Sequence, residues 1–238
     1  HTPVRDLDTK VNRICDVFLA AFQSADERRF LSCILTAHVR KVPPDYEGGL
    51  RVLLKYIDTD PPLAEEACKY IIFLVSADQL YKVALGMYDL SLALMIAQQS
   101  PRDPREYVPF LRDLRSKEPL EYQRFCIDDH LGHHAKALAW LARSGDESRM
   151  ESAMAYMVQH KLYREGLKAF ANDPERLREA YARFGDYLSS HQRAAEAATA
   201  YELAGRLIDA MNAYKEADQW QQALTLAQKT RMAGPELT

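Results

Sequence analysis

Apolar residues at helical spacing, interrupted again and again by proline or glycine and never replaced by an alternating run, constrain this chain more than anything else in it. Val11, Ile14, Cys15, Phe18, Leu19 and Phe22 follow i, i+3, i+4, i+7, i+8 and i+11, the spacing of one helix face. Phe30, Leu31, Ile34, Leu35 and Val39 repeat the pattern. Breaks are expected at Pro43-Pro44, Gly48-Gly49, Pro61-Pro62, Gly86, Pro101, Pro119, Gly132, Gly145, Pro174, Gly185 and Gly205, and no β-branched run of period two lies between them. Helices this short are marginal alone, so each must bury its stripe against its neighbours. The fold expected is therefore all-α, a right-handed α-solenoid of short antiparallel helix pairs, with about fourteen helices in stacked layers.

The C-terminal part carries a repeat of its own. Small residues stand at Ala137, Ala153, Gly166, Ala180, Ala197, Ala210 and Ala223, in steps of 16, 13, 14, 17, 13 and 13, each the length of one short helix and its turn. An Ala-x3-Tyr-x2-Ala pattern occurs at Ala197, Tyr201, Ala204 and again at Ala210, Tyr214, Ala217. This is similar to the second helix of a tetratricopeptide repeat (TPR), though the pair period is shorter than the usual ~34 residues. A close-packed seam through these positions is the expectation. Three stretches of one continuous solenoid are expected: an N-terminal helical part over 1–87, the helices of 88–145, set apart by the family signature they carry, and TPR-like repeats over 146–238.

Composition and charge narrow the function. Of 238 residues 47% are hydrophobic and 27% charged, ordinary for a folded segment. The chain starts at His1, shows no signal-like beginning and has no run of 18 apolar residues, which leads to the expectation of an excised, intracellular piece without a membrane span. Lys and Arg number 31 against 34 Asp and Glu, a net charge of −3, so the chain as a whole offers little attraction to a phosphate backbone. Cys15, Cys33, Cys68 and Cys126 form no CxxC pair and read as reduced thiols in helices.

Little in the chain points to chemistry. His130, His133 and His134 with Asp128 and Asp129 have metal-ligand types, but Gly132 interrupts the His130/His134 spacing and the sequence places no third ligand; no metal is expected. Neither GxGxxG nor GxxxxGK[ST] occurs among the nine glycines, no GxSxG elbow is present, and no cofactor is expected. The chain reads as a non-enzyme. At 100° per residue, Arg105 and Arg112 coincide with Arg102 and Arg115 on either side, opposite Tyr107, Phe110, Leu111 and Leu114. With Lys117 and Arg124 they form a candidate basic contact stripe, offset by Asp103, Glu106, Asp113, Glu118 and Glu121.

The stretch from Tyr88 to Gly145 can be placed in a family. YDLSLALMIAQ, DPREYVPFLRDL, YQRFCIDDHL and AKALAWL occur in that order, and together the segment resembles the Elongator complex protein 1 family, the large scaffold subunit of a complex that modifies wobble uridines of tRNA. Gly132-His133-His134 departs from the family, which usually has a basic and an aromatic residue there. The resemblance implies a scaffold or docking segment in the cytoplasm, with a nuclear fraction. Its partners would be other Elongator subunits, including the catalytic one, and tRNA contact would be weak or indirect. It also implies a monomeric segment in isolation, within a full-length protein that dimerises through a later region. A generic α-solenoid of a coat or trafficking scaffold and a weak tRNA-binding platform are the alternatives.

Overall fold

The computed structural model describes residues 3–145 and 147–233. Fifteen α-helices and no strand stand among the described residues, so the all-α expectation is borne out. The helices fall into two compact units, residues 1–118 and 119–238.

The first unit contains α1 (Pro3–Asp26), α2 (Leu31–Arg40), α3 (Tyr46–Ile57), α4 (Pro61–Leu74), α5 (Ala77–Gly86), α6 (Leu90–Gln98) and α7 (Pro104–Ser116). Each packs on the next or on the next but one, which is how short antiparallel helices share their apolar stripes. Ile34, Leu35, Leu50, Leu53, Ala64, Ile71, Leu80, Leu92 and Ile96 are fully buried there. Cys68 joins them, and burial pushes its thiol up to about 12, because the thiolate would lie in apolar surroundings. The α1 stripe is only half covered: Cys15 and Leu19 are buried, whereas Ile14 and Phe18 are 47% and 50% exposed.

Aspartates set the helix starts. Asp45, Asp60, Asp89 and Asp103 accept hydrogen bonds from the N–H groups of Gly48, Leu63, Leu92 and Arg105, satisfying donors that the first turn leaves free. Asp103 is the cap of α7 and Pro104 its first residue. α7 runs unbroken through Pro109. Gly48-Gly49 is no break either. The pair lies in the first turns of α3, where a Cβ on Gly48 would come 2.7 Å from His38 Cε1. His38 is buried, and its Nδ1 lies 2.9 Å from Asp45 Oδ2, so glycine is what admits the His38–Asp45 pair beside the helix.

The second unit contains α8 (Leu120–His130), α9 (His134–Arg143), α10 (Glu147–Gln159), α11 (Tyr163–Ala169), α12 (Pro174–Ser190), α13 (Ala194–Ala204), α14 (Leu207–Glu216) and α15 (Trp220–Ala233). Every small residue of the expected seam is buried: Ala137, Ala153, Ala180, Ala197 and Ala210 completely, Ala223 to within 5%, and Gly166 with them. The repeat tyrosines pack between. Tyr201 donates its hydroxyl to Asp186 on α12 and Tyr214 to Glu202 on α13, so each ring is buried while its polar tip stays satisfied. Gly185, expected as a break, lies within α12, where a Cβ would come 2.6 Å from the Tyr201 ring.

Six corners share one closure. Tyr88, Gly132, Lys161, Gln192, Gly205 and Asp218 take positive φ between 56° and 79°. The next N–H in each case reaches back to the carbonyl five residues earlier: Asp89 to Ala84, His133 to Asp128, Leu162 to Met157, Arg193 to Leu188, Arg206 to Tyr201, Gln219 to Tyr214. This is the Schellman ending, in which one left-handed residue satisfies the last carbonyls of a helix.

Candidate functional site

Two surfaces gather chemistry, one in each unit. In the first unit α7 carries the predicted arginines. Its Asp103 cap and Pro104 fix where the helix begins, and that phase buries Tyr107, Leu111 and Leu114 while Arg105, Arg112 and Arg115 remain exposed. Arg112 and Arg115 rim a shallow apolar groove whose walls are Leu90 and Leu94 of α6 with Val108 and Leu111 of α7.

The other predicted stripe residues are engaged. Arg102 pairs with Asp78 at 2.8 Å and lies over the Tyr81 ring at 4.2 Å. Lys117 pairs with Asp113 at 3.0 Å. Arg124 belongs to the second unit and stacks over Trp140 at 4.6 Å, an anchor to α9. Arg105, Arg112 and Arg115 make no ion pair among the described residues. The unpaired positive charge is thus concentrated on three residues rather than spread over six.

In the second unit the histidine cluster is sorted by the α8–α9 corner. Gly132 at φ +74° ends α8, and His130 and His134 belong to different helices, as the glycine between them predicts. His133 faces the buried Asp128, Nδ1 to Oδ1 3.3 Å. His134, the first residue of α9, instead meets Tyr156 of α10, Nδ1 to hydroxyl 2.7 Å. Tyr156 donates to Asp129 Oδ1 at 2.6 Å. Burial, then this hydrogen bond to a carboxylate, push its phenol well above the ordinary range. His160, just beyond α10, stacks on His134 with ring centroids 4.0 Å apart and on Tyr156 at 4.3 Å.

Sequence reasoning named His134 and Asp129 but missed Tyr156 and His160. Their separation along the chain, 22 and 26 residues from His134, exceeds any fixed ligand spacing. Only the length of the α9–α10 hairpin brings them back.

Comparison with known proteins now decides the family. Residues 2–114 match the model of the ELP1 alpha-solenoid and residues 122–238 that of the ELP1 TPR domain, so both halves point to one family. The chain belongs to the Elongator complex protein 1 family. It is 37% identical to Elongator complex protein 1 of Saccharomyces cerevisiae over 92% of its length. It is 34% identical to that of Mus musculus and 35% to that of Drosophila melanogaster, each over 94%. The chain spans only 16% to 17% of the length of these relatives. Their likeness extends on both sides of the 88–145 signature, over most of the helical array. No helix among the described residues is long and apolar enough to cross a membrane.

Proposed function

We propose that this chain is a non-catalytic scaffold segment of Elongator, a docking arm that holds other subunits while one of them modifies the wobble uridine of tRNA. The observation that carries the reading is the match of both halves to the two helical modules of a single Elongator subunit. Stacked short helices supply a long surface from a small core, which suits an assembly platform. The buried polar groups described above pair with one another to complete helix ends and corners, a packing role. The segment acts in the cytoplasm, with a nuclear fraction, and is monomeric by itself.

Arg105 with Arg112 and Arg115, the last two at the rim of the α6–α7 groove, are the face we assign to external contact. Three cations hold too few phosphates for strong binding alone, so tRNA touches this face only as part of a larger path assembled from several subunits. Affinity capture with the chain as bait tests the reading. Recovery of Elongator subunits from a cell extract is expected; recovery of coat components in their place would remove the scaffold assignment.

A further inference from the structure

We propose that Asp129, His134 and His160 form a binding site for a divalent ion of the zinc class, clipping together the end of α8, the start of α9 and the end of α10. One donor atom from each residue lies within 4.8 Å of the other two. Two bonds of about 2.05 Å at a tetrahedral angle span roughly 3.4 Å, so the set would close around an ion once the side chains rotate and the His134–His160 stack opens. Such rotations are open to it, because Asp129 is exposed and both histidines are partly exposed. The same exposure gives an ion a path in.

The hydrogen bonding already prepares the donors. Tyr156 gives its one proton to Asp129 at 2.6 Å, so at 2.7 Å from His134 Nδ1 its oxygen accepts. That fixes the proton of a neutral His134 on Nδ1 and leaves the lone pair on Nε2. A hydrogen-bonded far nitrogen of this kind is the usual support of a metal-bound imidazole. His160 has no ring-nitrogen hydrogen bond among the described residues; its contacts are ring stacks on His134 and Tyr156.

Two imidazoles and one carboxylate select the ion. The set suits zinc and its neighbours nickel, cobalt and copper, whereas calcium and magnesium require a cage of oxygens. A fourth position is left for water. The two histidines belong to neighbouring helical elements joined through the α9–α10 hairpin, so binding would restrain both ends of that hairpin.

The test is zinc titration of the 238-residue chain by calorimetry, with thermal melting in zinc or calcium and reversal by chelator. A single low-micromolar site is expected, with a zinc-dependent, chelator-reversible rise in melting temperature and none with calcium. His160→Gln, at a partly exposed turn, should keep the helical signal and weaken binding at least tenfold. Tyr156→Phe keeps the ring, removes the proton link and should weaken it about 10- to 100-fold. The proposal fails if the wild-type chain binds no zinc at millimolar concentration. It fails equally if the His134→Gln/His160→Gln double variant binds as tightly as wild type, which would place the ion at another residue.

Discussion

At the scale of single residues, fit is decided by which side chain stands opposite. Gly166 and Gly185 both lie in helices, where alanine would be favoured by about 0.5–1 kcal/mol. Opposite Gly166 stands Met157, whose Cγ would be 2.8 Å from an added Cβ; opposite Gly185 stands the Tyr201 ring at 2.6 Å. Methionine bends and a tyrosine ring does not. Tyr201 is further tied by its hydroxyl to Asp186. Gly185→Ala is therefore expected to destabilise by about 1–3 kcal/mol, and Gly166→Ala by less, in parallel urea titrations. Equal losses would mean that the Tyr201 ring can move aside. The seam positions were legible because small residues recur at helix-sized steps. The opposing tyrosine was not, since a glycine inside a helix and a glycine ending one look alike until the facing residue is known.

Among elements, the corners divide into those the sequence reveals and those it conceals. Gly132, Gly145 and Gly205 all take positive φ and were readable as breaks, because glycine alone visits that region freely. Tyr88, Lys161, Gln192 and Asp218 take the same conformation without being glycine. Their helices end where the apolar face runs out and the backbone closure of the last carbonyls outweighs local strain, neither of which is written at the corner itself. An L-residue there costs about 1–2 kcal/mol relative to glycine, and glycine returns about 0.4–1 kcal/mol through the greater freedom of the unfolded chain. Gln192→Gly at this exposed corner should raise stability by about 0.5–1 kcal/mol in urea denaturation. A loss would show that the closure depends on the Gln192 side chain. The uninterrupted α7 has a related lesson: Pro109 removes one hydrogen bond, yet burial of Tyr107, Leu111 and Leu114 along the same face holds the helix together.

For the whole molecule, charge sets what the chain does with nucleic acid. With a net charge of −3, the isolated chain is expected to bind tRNA barely or not at all in a mobility-shift titration at ~150 mM salt. In an assembled complex, Arg105→Glu with Arg112→Glu should weaken tRNA binding and flatten its salt dependence by nearly one logarithmic unit per lost phosphate contact, leaving assembly intact. Tight binding by the chain alone would favour an RNA platform over the proposed docking arm. The thiols carry another whole-molecule consequence. Cys33 is exposed while Cys68 is sealed within the α4 core, its ionisation suppressed by that burial. A maleimide dye would thus attach in the native state at Cys33, and more slowly at the partly exposed Cys126, and reach Cys68 only in molecules whose core has opened, so the unaltered chain holds both a tether for surface immobilisation and a built-in gauge of its own breathing.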